Sequence, residues 1–374
     1  MRQEVQVHTG NEPIQPQVIA VLIGQLGQGG SERQLYMFLA HCDRSRWAPI
    51  VYVAGKLGCW EALIQKLGIP VVLLRGSRFA KLWQFRADCV ARDVKCCFSW
   101  SSYTNGFGLT LIGRGVRRIG SFRNALFAEL TPDLARLWSL WSLACISTIV
   151  CNSRETQAQL WDRSGSAKRI VYVPNGVHVG SPECARSWRE KWRARLGLRD
   201  GAVLVLGVGR LAPQKNFARF IDVIAQVRRK FPAHAAIAGL DFGCLADLEA
   251  QLARLGLQET VSLMGPVHDA RELQCAADIF LLSSDWEGMP NVILEAMAAS
   301  VPCVTTKVGG VSDLIEHGAS GFIAEPDVDD LARYVVRLAA DADVRHAMGA
   351  RAQATIERAH QSEQIARQLW TLCE

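Results

Sequence analysis

Two glutamates and the residues between them form a pattern suited to binding a phosphorylated sugar. Glu287 and Glu295 are separated by seven residues, which begin with Gly288-Met289-Pro290 and continue into Asn291-Val292 and an apolar stretch. The first part fits a loop and the second fits the start of a helix. Free N–H groups in a helix's first turn attract anions, and proline is tolerated there because it has no N–H. Carboxylates accept hydrogen bonds from sugar hydroxyls. The pattern therefore predicts a diphosphate on the helix end and hydroxyl groups on the glutamates, as in a nucleotide-sugar.

Two cations form a second candidate phosphate contact. Arg210 and Lys215 stand five positions apart, directly after the apolar run Ala202–Val208. Arginine offers a planar, two-pronged contact to phosphate, and lysine offers a point charge. Either residue alone would fit an ordinary surface equally well. Together with the glutamate pattern they predict a site for the same diphosphate.

The elements around these residues predict two doubly wound units. The runs Val18–Ile23, Ala202–Val208 and Ala277–Leu282 are almost continuously apolar, which is typical of central parallel strands covered on both faces. Further strand-like runs alternate with helix-like segments along the chain. A glycine loop, Gly24–Gly30, follows the first run, and Ser31 is expected to cap the helix after it. A central apolar strand followed by a loop and a helix occurs twice, after Val18–Ile23 and after Ala202–Val208, and this repetition indicates two Rossmann-like domains.

Several of these segments resemble one family. The sequence EGMPNVILE at residues 287–295 resembles the E-x7-E signature of retaining glycosyltransferases with the GT-B fold, particularly glycosyltransferase family 4. The sequence GRLAPQKN at 209–216 resembles the family's G-R-x4-K-N element. GGSERQL at 29–35, CNS at 151–153 and VPNGV at 173–177 are also similar to family segments. The resemblance covers about residues 18–374.

The resemblance implies an α/β GT-B architecture of two Rossmann-like domains facing across a cleft. A flexible tail would span residues 1–16, an acceptor domain 17–183, a donor domain 184–356, and a helix returning to the first domain 357–374. It also implies a metal-independent hexosyl transfer with retention, from a nucleotide-sugar to a hydroxyl of a glycan or lipid-linked acceptor. A UDP-sugar is favoured over a GDP-sugar, and a role in bacterial surface polysaccharide synthesis is expected.

The resemblance assigns roles to individual residues. Arg210 and Lys215 would hold the donor diphosphate as it leaves, Glu287 would hold sugar hydroxyls, and Glu295 would hold the ribose. The remaining donor-binding positions are expected at Gly29, Gly30, Gly265, Val267, Gly288, Met289, Pro290, Asn291 and Val292.

One departure from the family affects the first domain. Many relatives carry a histidine in the loop after the fourth strand, and the corresponding loop here, residues 100–105, has none. Tyr103 or Asn105 is a candidate replacement, and Arg123 is a third acceptor-side candidate. Four aromatics could also form an acceptor surface, although core positions are the more ordinary expectation for them: Trp83, Phe85, Trp138 and Trp141.

Composition limits the other classes. With 374 residues, 49% hydrophobic and 21% charged, the chain is globular and long enough for two domains. A net charge of +6 permits peripheral association with an acidic membrane surface but does not indicate nucleic-acid binding. The twelve cysteines have no zinc spacing, and the absence of a secretory pattern predicts a reducing cytoplasm. Two Asp-x-Asp pairs, at 327–329 and 341–343, are read as helix caps, so no metal is assigned.

Three rival functions stay open from the residues alone. A nucleotide-sugar epimerase or a glycan phosphorylase would share the fold. A nicotinamide-dependent oxidoreductase would use Gly207-x-Gly209-x-x-Ala212 as a loose dinucleotide pattern, but no acidic residue ends a second strand about twenty residues later. A non-catalytic nucleotide-binding protein is the third rival, because the loop histidine is missing.

Overall fold

The computed structural model describes residues 15–125, 141–164 and 169–374. Its strands form two parallel sheets, one with seven strands and one with six. Strands and helices alternate along the chain, as the apolar runs predict. The prediction of an α/β protein built from two Rossmann-like sheets is confirmed.

The first sheet has the strand order β3-β2-β1-β4-β5-β6-β7. Its strands are β1 Gln17–Ile23, β2 Trp47–Val53, β3 Val71–Leu73, β4 Cys96–Ser99, β5 Arg117–Phe122, β6 Thr148–Cys151 and β7 Arg169–Tyr172. The helices described in this part of the chain are α1 Gly30–Ala40, α2 Trp60–Lys66, α3 Arg78–Ala91 and α4 Arg154–Ser164, and a 3₁₀ segment spans Ser102–Leu111.

The second sheet has the order β10-β9-β8-β11-β12-β13. A connecting helix, α5 Pro182–Arg195, precedes it. Its strands are β8 Val203–Val208, β9 Ala233–Ala238, β10 Val261–Leu263, β11 Ile279–Leu282, β12 Cys303–Thr306 and β13 Gly321–Ala324. Its helices are α6 Phe217–Arg228, α7 Leu245–Leu255, α8 Ala270–Gln274, α9 Asn291–Ala298, α10 Val328–Ala340, α11 Ala342–Ala359 and α12 Ser362–Trp370. Two buried apolar clusters cover the two faces of this sheet.

The strand order of each sheet reverses direction at one point. In the first sheet β1 lies between β2 and β4, and in the second β8 lies between β9 and β11. Ligands of doubly wound sheets bind at the carboxyl ends of strands where the order reverses. In the second sheet this position is flanked by the segments after β8 and β11, which carry the predicted cations and Glu287.

Contact density divides the chain into two compact units. Of the described residues, one unit contains 15–121, 141–148 and 370–374, and the other contains 122–125, 149–164 and 169–369. The predicted boundary between residues 183 and 184 falls between the last strand of the first sheet and the first strand of the second. The bounds of the predicted domains, and the facing of the two units across a cleft, stay predictions.

Helix starts confirm some predicted caps and correct one. Asp327 accepts a hydrogen bond from the N–H of Asp330 at 3.0 Å, and Asp341 accepts one from Val344 at 3.0 Å, so both aspartates are N-caps. The prediction that Ser31 caps α1 is wrong. The helix already begins at Gly30, and extended Gly29 occupies the N-cap position without a side-chain cap.

Residues 370–374 belong to the same unit as β1. The Trp370 ring stacks on Phe38 with centroids 4.1 Å apart, and its Nε1 donates to the Phe38 carbonyl oxygen at 3.0 Å. Trp47 flanks the same ring, with centroids 5.9 Å apart. α12, Ser362–Trp370, lies within residues 357–374, where the C-terminal helix is expected.

The aromatics expected in the core divide into two groups. Phe85 is fully buried under α3, as the core interpretation predicts. Trp83 and Trp141 are exposed over 74% and 63% of their surface, so the core interpretation is wrong for them. Trp138 lies outside the described residues.

Among the described helices, none has the length and apolar character needed to cross a membrane.

Candidate functional site

Lys215 is fixed by a tight segment between β8 and α6. Residues Pro213–Lys215 form a short 3₁₀ turn, and Asn216 follows with a left-handed φ of 45°. The Asn216 side chain caps α6 by accepting from the N–H of Arg219 at 3.1 Å. A Cβ atom on Gly209 would lie 3.1 Å from Lys215 Cε, so the glycine leaves room for the lysine stem.

Lys215 forms an ion pair with Glu287. Its Nζ lies 2.5 Å from Glu287 Oε1, and the two side chains are exposed over only 13% and 10% of their surface. The hydroxyl of Ser284 donates to the same oxygen at 2.7 Å. An ammonium group has three donors, so this pair leaves two for a ligand. The predicted catalytic cation and the predicted sugar-binding carboxylate therefore meet at the ends of neighbouring strands.

Arg210 is joined to the same loop through Gln214. Arg210 Nη2 donates to Gln214 Oε1 at 3.4 Å, and Gln214 Nε2 donates to the carbonyl oxygen of Trp286 at 2.8 Å. The guanidinium lies 5.3 Å from the ring centroid of Phe242. Among the described residues Arg210 has no carboxylate partner, so its positive charge is not neutralised locally. Sequence reasoning missed Gln214 and Phe242.

The loop before α9 is held by a glycine turn. α9 begins at Asn291, as predicted, with Pro290 at the N-cap and no side-chain cap. Gly309 has a φ of 38°, and a Cβ there would lie 2.2 Å from the carbonyl oxygens of both Glu287 and Gly288. Gly310 donates its N–H to the Gly288 oxygen at 2.5 Å. The turn thus fixes the loop that carries Glu287.

Asn175 also holds this loop, a role that sequence reasoning missed. Its backbone N–H donates to Met289 Sδ at 3.2 Å, and its Nδ2 donates to the Met289 carbonyl oxygen at 3.2 Å. The same Nδ2 donates to Asn291 Oδ1 at 2.8 Å. Asn175 is only 3% exposed, so these bonds are shielded from water. The VPNGV segment was noticed as a family turn, but nothing in its sequence named the partner residues.

Arg123 and Asn152 complete this buried polar cluster. Arg123 Nη1 and Asn152 Nδ2 both donate to Asn175 Oδ1, at 3.2 and 3.4 Å. Burial of its guanidinium lowers the pKa of Arg123 to about 9. A Cβ on Gly288 would lie 2.3 Å from the carbonyl oxygen of Arg123. Arg123 was predicted on the acceptor side, and the structure places it beside the predicted donor residues.

A buried histidine lies behind Asn175. His360 Nδ1 is 3.2 Å from the Asn175 carbonyl oxygen, and His360 is only 4% exposed. Burial lowers the pKa of His360, while the hydrogen bond to Asn175 and the charge of Asp313 oppose that shift. The imidazole is therefore held neutral with its Nδ1–H donating to the carbonyl.

The remaining predicted donor-binding residues of this unit are Glu295 on α9 and two residues in the turn after β10, Gly265 and Val267. Glu295 lies in the second turn of α9 and is 5% exposed, and its charge helps to raise the pKa of Arg271 after the larger effect of Asp269. Gly265 follows β10 with a left-handed φ of 65°. Val267 lines a cavity of about 290 Å³ between this turn and α5.

Four predicted residues belong to the other unit. Gly29 is the N-cap of α1 and Gly30 is its first residue, and a Cβ on Gly29 would lie 2.3 Å from Glu32 Oε2. Tyr103 is 47% exposed and lies against Gly24, whose added Cβ would be 2.3 Å from the tyrosine ring. Asn105 is fully buried, and no described residue is a hydrogen-bond partner of its amide. Of the two candidates for the missing histidine, only Tyr103 is reached by solvent.

Two family profiles match the two halves of the chain. The profile described as Glycosyltransferase Family 4 matches residues 28–180. The profile described as Glycosyl transferases group 1 matches residues 202–341, which include the Arg210, Lys215, Glu287 and Glu295 segments.

Known proteins similar to this chain agree with the profiles. An uncharacterised glycosyltransferase of Methanocaldococcus jannaschii is 28% identical over 67% of this chain and 66% of its own length. The UDP-Gal:alpha-D-GlcNAc-diphosphoundecaprenol alpha-1,3-galactosyltransferase of Escherichia coli is 26% identical over 54% of each chain. Both alignments span less than two thirds of the relative's length.

Among solved structures, Anabaena HepE in complex with UDP-glucose superposes with a TM-score of 0.83 and 23% identity. The superposition covers 95% of this chain and 98% of HepE. This likeness shows the fold. The two profiles together cover most of both sheets, so the chain belongs to the GT-B glycosyltransferases that they describe, family 4 over residues 28–180 and group 1 over residues 202–341.

Proposed function

We propose that this protein transfers a sugar, with retention of configuration, from a nucleotide-diphosphate sugar to a hydroxyl of a glycan or lipid-linked acceptor. The observation that carries the proposal is the joint placement of Lys215, Glu287 and the uncapped start of α9 beside the strand-order reversal of the second sheet. That placement combines positive charge for a diphosphate with a carboxylate for hydroxyl groups.

Cleavage of the donor's sugar–oxygen bond leaves negative charge on the terminal phosphate while the sugar becomes cationic. Fixed positive potential at that phosphate is the strongest means by which a protein can stabilise this transition state. Lys215 retains two free donors beside Glu287, and Arg210 has an uncompensated charge joined to the same loop by Gln214. The amide groups at the start of α9 add to this potential.

The carboxylates have separate roles in the proposal. Glu287 accepts hydrogen bonds from sugar hydroxyls, and its pairing with Lys215 orients it. Glu295 binds the ribose. The acceptor hydroxyl attacks from the side of the leaving group, and a phosphate oxygen takes its proton. No residue of the chain is assigned as a covalent nucleophile, and no metal is assigned to the reaction.

A UDP-sugar is the preferred donor. HepE is described with UDP-glucose, and the Escherichia coli relative is named for UDP-Gal and a lipid diphosphate acceptor. These names support a UDP-sugar and a lipid-linked acceptor for this chain. The proposed setting is polysaccharide synthesis at the inner face of a bacterial membrane.

Thermal-shift measurements with UDP, GDP, their sugars and NAD test the proposal directly. We expect UDP or GDP to raise the melting temperature, and we expect Lys215→Ala and Glu295→Ala to lose that increase. Product analysis then follows the anomeric configuration by NMR. Stabilisation by NAD with no response to any nucleotide-sugar would instead identify an oxidoreductase, and a converted donor without transfer would identify an epimerase.

A further inference from the structure

An exposed apolar face lies on α3, in the unit that contains the first residues of the chain. Phe79 is 81% exposed, Trp83 is 74% exposed and Val90 is 46% exposed. With Ala87, which is also exposed, these residues follow helical spacing at positions 79, 83, 87 and 90. The opposite side of α3 buries Phe85 and Cys89 in the core, so the helix is already anchored without the exposed stripe.

The 3₁₀ segment beside α3 extends this face. Arg86 Nη1 donates to the Thr110 carbonyl oxygen at 2.6 Å, and Phe85 meets Phe107 edge to face at 5.6 Å. Leu109, near the end of the segment, is 46% exposed, and Ile112, directly after it, is 48% exposed. We call Phe79, Trp83, Val90, Leu109 and Ile112 the aromatic face. A monomeric protein seldom exposes so many large apolar side chains together unless they bind something.

The chain segment that carries the aromatic face is strongly basic. Residues 75–118 contain nine arginines and lysines but only two acidic residues, Asp88 and Asp93, which gives +7 against +6 for the whole chain. This stretch thus contains the entire positive excess of the protein. Asp88 is already paired with Arg92, and Asp93 with Lys95. Arg75, Arg78 and Arg114 are exposed and form no ion pair with a described residue.

From this combination we infer that the aromatic face binds the surface of a bilayer containing anionic phospholipid. Phenylalanine and tryptophan on one side of a basic helix are typical of segments that lie in the lipid headgroup region. The unpaired arginines complement anionic headgroups. A second copy of the chain fits poorly, because a two-fold interface would place this positive surface against itself.

Vesicle flotation of the purified full chain tests the inference. We expect binding to vesicles with about 30% phosphatidylglycerol to exceed binding to pure phosphatidylcholine by about tenfold or more, and to fall as salt rises. Phe79→Ser/Trp83→Ser should lower the partition coefficient by about tenfold. Trp161→Ser, which changes a tryptophan that is 52% exposed on α4, is the matched control and should leave binding unchanged.

Two double charge-reversal variants measure the electrostatic contribution to vesicle binding. Arg75→Glu/Arg78→Glu should reduce binding to anionic vesicles by about tenfold or more. Arg351→Glu/Arg358→Glu alters the net charge equally on the exposed side of α11 and should have little effect. An equal loss of vesicle binding in both double variants would show that net charge alone attracts the protein to the vesicles, and it would overturn the inference. So would the absence of vesicle binding, or self-association in light scattering that Phe79→Ser/Trp83→Ser abolishes.

Discussion

Replacing Lys215 with methionine should destabilise the second sheet's unit by leaving Glu287 buried without its partner. Methionine keeps the apolar stem beside Gly209 and removes only the charge. At the observed separation of 2.5 Å, the attraction is about 7 kcal/mol for an effective dielectric constant of about 20. Desolvation offsets much of this, and breaking buried pairs costs about 3–5 kcal/mol. Because both side chains retain some exposure, we expect about 3 kcal/mol.

The assay is a double-mutant cycle read by thermal unfolding without ligand. A loss of about 3 kcal/mol corresponds to roughly 6–12 °C for a unit of this size. Glu287→Gln alone should also destabilise, because it leaves Lys215 without its anion. The double variant should be more stable than the sum of the single losses predicts, by about 2 kcal/mol, since both charges are then gone.

The surface pair Lys191–Glu272 provides the control. Its atoms are 2.9 Å apart, but the lysine side chain is 60% exposed and the glutamate 26%. Lys191→Met should therefore cost less than about 1 kcal/mol. If Lys215→Met costs no more than this control, or if the two single effects at Lys215 and Glu287 simply add, the buried-pair reasoning is refuted. The result is independent of any nucleotide-sugar.

Three further predictions concern the residues around this pair. Asn175→Ala should lower stability by about 2–4 kcal/mol in denaturant unfolding, since several buried polar groups lose their partner; a change below 1 kcal/mol would contradict that role. Gly309→Ala should cost clearly more than Gly318→Ala, since both have positive φ but only Gly309 lies against backbone oxygens, and equal melting temperatures would exclude the clash. The pKa of His360 is lowered in the folded protein, so on acidification the unfolded chain takes up this proton at a higher pH than the folded chain does. The free energy of unfolding of the wild type should therefore decrease as the pH drops below about 6.5. His360→Gln should flatten this dependence in melts between about pH 5.5 and 7.5, and an unchanged slope would assign it to other groups.

The sequence was sufficient to predict the strands and the segments that carry the cations and glutamates. Apolar runs such as Val18–Ile23 are local patterns, and they became β1 and its counterparts nearly residue for residue. The approach of Lys215 to Glu287 follows from strand order, because β8 and β11 are neighbours. The family resemblance supplied the functional interpretation, and the strand order supplied a physical reason for the two segments to meet.

Asn175 could not be found in the same way. Its side-chain partners at positions 123, 152 and 291 lie far away along the chain, and an asparagine before glycine ordinarily indicates only a turn. The prediction that Ser31 caps α1 was wrong for a local reason, because glycine in an extended conformation competes well for the N-cap position. Phe242 beside Arg210 was likewise invisible, since an aromatic residue in a loop carries no sign of its neighbour.

The position of Trp370 has a consequence for how the protein is made. Domains usually fold as they leave the ribosome, beginning at the amino terminus. Here the indole that covers Phe38 and Trp47 belongs to residue 370, more than 300 positions further along the chain. The unit translated first therefore keeps an unfilled aromatic slot until residue 370 has been made, and a nascent chain halted before residue 370 would hold that unit incomplete.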